Sequence, residues 1–264
     1  MKEIEKSTVL HHYDEHHLPT SASIIVPMVM DIYAGKTKHA IHSVIDVGCG
    51  LGQWLYTFKM GGVNTILGID GSHVLSENLY IEKDEFLPYD LNRCGDLKIG
   101  QKYDLAISLE VAEHLPEDVA DDYVSLLVRS SDVILFSAAI PNQTGENHIN
   151  EQPHQYWANK FALHNYFMLD IFRPRIWDNS IINWWYRQNM FLCVKKDSPL
   201  FDDKFLFDGR TLVHPELLLM YVNSLSSITP SIPSSNHFTS PKSRVKKIIL
   251  SLKSCVCCLL RKLC

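Results

Sequence analysis

Four acidic residues of this chain stand where short apolar runs end. Asp46 lies in Val44-Ile45-Asp46-Val47, just before Gly48-Cys49-Gly50-Leu51-Gly52. Asp70 closes Ile66-Leu67-Gly68-Ile69-Asp70, Asp90 sits in Tyr89-Asp90-Leu91, and Glu110 opens Glu110-Val111-Ala112-Glu113-His114. Glycines at every second position let a backbone turn tightly and let a ligand approach with no Cβ in the way. A dinucleotide loop, G-x-G-x-x-G, would place its third glycine at the position that Gln53 holds here. Asp46, two residues before the first glycine, would repel a pyrophosphate and suits a ligand that carries an ammonium group. The plain alternative is a strand-to-helix turn that binds nothing.

Glu110, Glu113 and His114 are spaced i, i+3, i+4, which puts three ligands for a divalent metal such as Mg2+ on one side of a turn. Their other reading is that Glu113 and His114 cap and orient the next helix. His11, His12, His16 and His17, with Asp14 and Glu15, match no metal-ligand spacing and read as a solvated face. Cys49 reads as a small buried residue rather than a nucleophile. Trp184, Trp185 and Tyr186 are expected to bury against the last strands, with a carbohydrate platform as the rival reading.

Strand-like and helix-like segments alternate from about residue 43 to about residue 195, the pattern of an α/β domain with a largely parallel sheet. Strands are expected at Ser43–Val47, Val63–Asp70, Glu85–Leu91, Tyr103–Leu109 and Asp132–Ile140. Helices are expected at Gln53–Met60, from Pro116 to about Ser130, and from about Pro153 to Leu169. Ile171–Trp177 and Gln188–Val194 read as two last strands, and Val213–Val222 as a short helix. At 264 residues, 46% hydrophobic and 21% charged, the chain can bury one large core. That composition excludes a wholly disordered or collagen-like chain, and seven cysteines without framework spacing argue against a disulfide scaffold.

The chain resembles the class I S-adenosylmethionine-dependent methyltransferases over residues 24–195, with the parts in the family's order. The resemblance implies a Rossmann-like fold: a seven-stranded, mostly parallel sheet whose last strand is antiparallel, flanked by helices. It assigns Gly48, Gly50 and Gly52 to the methionine part of the cofactor, with Asp46 beneath them. Asp70 would take both ribose hydroxyls, a diol that matches a carboxylate's two acceptor oxygens. Asp90 would accept from the adenine amino group, with Leu91 beside it, and Glu110 would face the reactive end. E-x-x-E-H runs bind a metal in ubiquinone-pathway O-methyltransferases and in small-RNA 2′-O-methyltransferases, the latter with a later histidine, for which this chain offers His148. The segment 140–157 occupies the place of the acceptor substrate. There His148 is the candidate base, Glu151 orients it or binds substrate, and Trp157 is a flat wall for a ring or part of the core. The resemblance also implies a lid ahead of the first strand, to which Tyr13, a candidate substrate contact, and His17 would belong.

The resemblance implies methyl transfer to a hydroxyl of a sugar, a glycan precursor or another small metabolite. The rivals are a metal-dependent RNA 2′-O-methyltransferase and a non-catalytic cofactor-binding scaffold. Net charge bears on the first rival. Of the overall −5, residues 242–264 contribute seven basic side chains and no acidic one, so the remainder is net −12. An acidic body disfavours nucleic acid as a partner. The expected organisation is a methyltransferase domain at 1–222, a Ser/Pro-rich linker at 223–241 and a basic, Cys-rich, amphipathic tail at 242–264. That tail is either a peripheral anchor for an anionic membrane or a poorly ordered extension. Acidic residues near the N-terminus leave no apolar export stretch, so the expected location is the cytoplasm, with the inner face of the membrane if the tail anchors.

Overall fold

In the computed structural model, residues 20–227 are described. The chain divides into two units, 1–221 and 222–264, and the described residues of the second are 222–227. The Tyr13 reading and the tail reading therefore fall outside the described residues. Seven strands form one sheet: β1 (Ser43–Val47), β2 (Thr65–Asp70), β3 (Phe86–Pro88), β4 (Leu105–Leu109), β5 (Val133–Ser137), β6 (Tyr166–Leu169) and β7 (Phe191–Lys195). Their order is β3-β2-β1-β4-β5-β7-β6, parallel throughout except for β7, which runs antiparallel to β5 and β6. Strands β4 and β5 are buried along their whole length, as expected for central strands covered on both faces.

The helices are α1 (Thr20–Thr37), α2 (Gln53–Met60), α3 (Ala120–Ser130), α4 (His154–Ala162), α5 (Arg173–Ile176), α6 (Trp184–Asn189) and α7 (Pro215–Ser227). One buried cluster, including Ile25, Val44, Leu55, Phe58 and Leu192, fills one side of the sheet. A second, including Ile45, Tyr123, Leu127, Phe136 and Trp157, fills the other. Alternate residues of β1 point into each, the period-2 signature of a strand. At the foot of the sheet the Asp104 carboxylate accepts from the amides of His42 and Ser43, which aligns β1 with β4.

Several expected elements change. Leu163–Leu169 does not continue the preceding helix: α4 stops at Ala162, Asn165 takes a left-handed φ of 61°, and Tyr166–Leu169 becomes β6. Ile171–Trp177 is not a strand, because Pro174 in the first turn starts the short helix α5. The helix α1 was not expected, since Pro27 lies inside it. An internal proline costs a helix about 3 kcal/mol, and burial of Ile25, Val26 and Val29 offsets that cost. Helix α7 runs on through residue 227, into the stretch expected to be linker. No helix among the described residues is long and apolar enough to cross a membrane.

The tie that joins the central strands to α3 is polar. The Tyr123 hydroxyl donates to the Val47 carbonyl (3.0 Å) and lies 2.7 Å from Ser108 Oγ, all of it buried. A Tyr123→Phe variant removes a hydrogen bond from each of two buried polar atoms. It should lower unfolding free energy in urea by about 1–3 kcal/mol; a change under 0.5 kcal/mol contradicts the assignment.

Candidate active site

The parallel strands β1, β2, β3 and β4 end at one edge of the sheet, and strand order reverses between β1 and β4. Open α/β sheets bind ligands in the crevice at such a point. Here it is lined by the glycine loop, by Asp70 and by Glu110. The loop takes φ of 89°, 52° and 83° at Gly48, Gly50 and Gly52. The amides of Gly48 and Cys49 both donate to the Ile69 carbonyl (2.8 and 3.1 Å), which folds the loop back over β2. A Cβ at Gly48 would stand 2.3 Å from a Val111 methyl, and one at Gly52 would stand 2.9 Å from Ile81. Glycine is thus required at both positions by the protein's own packing as well as by backbone conformation.

The Asp70 carboxylate is held from two sides, its Oδ2 accepting from the Gly50 amide (2.7 Å) and its Oδ1 from the Gly71 amide (2.6 Å). Each oxygen keeps a second lone-pair direction for a ligand. Asp46 lies under the loop, 3% exposed. Burial first, and then the charge of Asp70, push its carboxyl pKa well above the usual range. Asp90 is exposed at the end of β3. Its Oδ1 accepts from the backbone and side-chain amides of Asn92, which caps the 3-10 turn Leu91–Asp96. Leu91 is buried behind it.

Glu110 follows β4 with φ of 55°, a left-handed conformation uncommon outside glycine and associated with functional sites. The Ser137 carbonyl (3.0 Å) and hydroxyl (3.1 Å) both accept from its amide and hold it there. Its carboxylate accepts from Gln143 Nε2 (3.0 Å) and from Asn189 Nδ2 (3.2 Å to each oxygen). Sequence reasoning missed both amides, because they lie 33 and 79 residues away and no local pattern marks them. Burial raises the Glu110 pKa to about 7, against the opposing effect of Ser137, Asn189 and Gln143.

Glu113 is fully buried, and neither of its carboxylate oxygens has a hydrogen-bond partner among the described residues. Burial, and then the charge of Glu110, hold its pKa well up. Its carbonyl accepts from the amides of Ile149 (2.9 Å) and Asn150 (3.0 Å), which brings the loop after β5 onto it. That loop carries left-handed φ values at Asn142, Thr144 and Asn147. As a result His148 packs edge-on to His114, ring centroids 4.8 Å apart. A ligand atom from each of Glu113, His114 and His148 falls within 4.8 Å of the others. His114 has its pKa lowered, by burial and then by His148. His148 Nδ1 lies 2.8 Å from Glu151 Oε1.

The sequence-predicted residues thus separate. Asp46, Gly48, Gly50, Gly52 and Asp70 form one cluster; Glu113, His114, His148 and Glu151 form a second, which Glu110 adjoins through Glu113. Asp90 and Leu91 stand at the neighbouring strand end. Trp157 belongs to neither. It is 1% exposed, packed against Phe136 and Tyr156, so its ring presents no free face to an acceptor. The wall reading of Trp157 is corrected to core.

The carboxyl pair has a consequence for stability. The folded pKa of Glu110, about 7, exceeds its ordinary 4.5, so the folded state binds more protons between those values. That contribution is fully present below about pH 4.5 and is lost as pH rises through 7. In metal-free buffer Glu110→Gln should flatten the decline in urea-unfolding free energy between pH 5 and 8 by on the order of 2 kcal/mol. An unchanged slope contradicts the burial of a titrating carboxyl there.

No family model matches the chain. It is 29% identical over 131 residues to the mitochondrial ubiquinone biosynthesis O-methyltransferase of Dictyostelium discoideum. That match covers 41% of this chain and 40% of the relative, so the shared part is less than half of either. Among solved structures, the sugar N-methyltransferase KedS8 of a Streptoalloteichus species superposes with a TM-score of 0.54 at 12% identity, over 72% of this chain and 93% of that one. The plantazolicin methyltransferase BpumL, in complex with a pentazolic desmethylPZN analog and SAH, gives 0.51 at 17% identity, over 73% and 91%. With the sheet order 3-2-1-4-5-7-6 and its one antiparallel strand, these likenesses show that the chain has the Rossmann-like fold of the class I methyltransferases.

Proposed function

We propose that the protein transfers a methyl group from S-adenosylmethionine to a hydroxyl of a small acceptor, a sugar or glycan precursor first among them. The observation that carries this reading is the meeting of Asp46, the glycine loop and Asp70 at one strand edge, with the Asp70 carboxylate already oriented by the Gly50 amide. The residues fit the cofactor by their chemistry: two carboxyls crowded together, one of them buried, call for a cationic partner, and the methionine end supplies an ammonium and a sulfonium. When bound, S-adenosylmethionine supplies an electrophilic methyl. The chain's residues do the rest. Asp46 and the loop hold the methionine end, Asp70 takes the ribose hydroxyls, and Asp90 accepts from the adenine amine beside Leu91.

His148 is the base in this reading. Its Nδ1 lies 2.8 Å from Glu151 Oε1; with the proton on Nδ1 donated to that carboxylate, Nε2 would keep the lone pair that takes the acceptor's hydroxyl proton. Catalysis then rests on alignment of sulfur, methyl and oxygen, with Glu110 fixing the reactive side of the crevice. The methyltransferase domain is assigned to residues 1–222, with its core at 24–195.

A second reading places a divalent cation such as Mg2+ on Glu113, His114 and His148. The orphaned Glu113 carboxyl favours it, since a buried carboxyl without a partner costs free energy that a metal bond would offset. In that case Glu113, His114 and His148 would hold the cation, which would supply Lewis-acid activation of an acceptor oxygen. RNA as the acceptor is disfavoured by the acidic body.

Transfer of labelled methyl into host extract, with the product identified by mass, tests the reaction. His148→Ala should reduce turnover about 10²- to 10⁴-fold at unchanged cofactor affinity, and full turnover rejects the base. Loss of turnover in chelator, restored by magnesium, selects the metal reading; indifference to chelator removes it.

A further inference from the structure

One cavity of the molecule, about 240 Å³, has no role so far. It lies between the start of α1 at Thr20, the segment leading into α6, and the first turn of α7, and Asn183, Trp184, Trp185, Arg187 and Glu216 line it. Pockets for drug-sized ligands start at roughly 300 Å³, so this one suits a single ring. The two indoles stand at 83° to each other with centroids 5.7 Å apart, and they form an apolar corner.

The polar part of the lining is built rather than incidental. Arg187 is 3% exposed; its Nη1 donates to the Trp177 carbonyl (3.0 Å) and lies 3.1 Å from His214 Nε2, and its Nη2 pairs with Glu216. Its Nε has no acceptor among the described residues. A buried donor left unpaired is costly, and a ligand oxygen that reaches it on a small shift of the lining would remove that cost. Asn183 is fixed by Ser21, whose hydroxyl donates to its Oδ1 (2.6 Å), so its Nδ2 remains a donor. Glu216 has a half-exposed carboxylate that still accepts. Because Arg187 and Glu216 neutralise each other, the lining selects no net charge. Donors, an acceptor and two apolar ring faces together match a neutral ring that carries several hydroxyls.

The cavity and the crevice share the helix α6. Tyr186, the residue between Trp185 and Arg187, meets Trp54 edge-on (5.2 Å, 82°), and Trp54 is in the first turn of the helix that follows the glycine loop. Asn189, at the far end of the same helix, grips Glu110. At 1.5 Å per residue, Trp184 and Asn189 are about 8 Å apart along the axis. A ligand in the cavity therefore sits within one small molecule's reach of Glu110.

We propose that this cavity seats the ring of the methyl acceptor, and that the ring is a neutral sugar stacked on Trp184 and Trp185 with its hydroxyls read by Arg187, Asn183 and Glu216. The assignment rests on the methyltransferase reading and gives its sugar acceptor a place.

Saturation-transfer NMR on the full chain tests it, with S-adenosylhomocysteine present and with glucose, galactose, rhamnose, N-acetylglucosamine and catechol as probes. At least one sugar should receive saturation. Trp184→Ala and Glu216→Gln should each weaken its binding about tenfold, the loss of one stacking or hydrogen-bonding contact, while titration with S-adenosylhomocysteine is unchanged. Glu216→Gln keeps the shape of the side chain and guards against a mere packing effect of the tryptophan change. Absence of every sugar signal, equal binding by the variants, or binding of catechol alone each overturns the proposal. Failure of S-adenosylhomocysteine to bind the parent chain would instead strike the methyltransferase reading, and sugar binding still decides the cavity.

Discussion

Crowding of negative charge at one edge of the sheet is the constraint around which the rest is arranged. Parallel strands β1, β2 and β4 end side by side, and each ends on or near a carboxyl: Asp46, Asp70 and Glu110, with Glu113 one turn further on. Water cannot screen Asp46 or Glu113, which are buried. The protein answers in two ways. Backbone and side-chain N–H groups are aimed at Asp70 and Glu110, while Asp46 and Glu113 have their pKa values driven up by burial. Both responses leave the edge poised to favour a cation, the character of the sulfonium cofactor proposed for it.

Helix α6 carries much of the remaining organisation. Tyr186 to Asn189 are all buried, three of them polar, which is unusual for a six-residue helix. Gln188 donates to Gln143 (3.0 Å) and accepts from the His214 amide (2.7 Å). Asn189 donates to Gln143 (2.9 Å) as well as to Glu110, and its Oδ1 lies 3.1 Å from His154 Nε2. These bonds join the loop after β5, α4, α6 and the approach to α7 into one polar layer around Glu110. Networks of this kind specify a single arrangement when their members are satisfied. The helix thereby orients the crevice on one side and the Trp184–Trp185 cavity on the other.

Most of the fold was legible because its signals are local. Ser43–Val47 and Gln53–Met60 match observed elements, since a short apolar run, a glycine turn and an amphipathic stretch each announce themselves over a few residues. β6 was hidden because Tyr166–Leu169 extends the apolar content of α4 with neither glycine nor proline between, and only His164-Asn165 marked the break. α1 was hidden by Pro27. In the site, the strand-end acids could be read from spacing, whereas Gln143 and Asn189 are identifiable only once the chain is folded. Trp157 shows the limit in the other direction. Its position suggested an acceptor wall, but its place on α4, facing Phe136 of the central strand β5, makes it core.

A cationic ligand should relieve the crowded carboxyls. Calorimetric titration of the full chain with S-adenosylmethionine at pH 7, repeated in buffers of different ionisation enthalpy, measures both binding and the protons that accompany it. Binding of one equivalent with net proton release is the result expected of carboxyls whose pKa values fall when the cation arrives. No binding, or binding with no proton release, contradicts it.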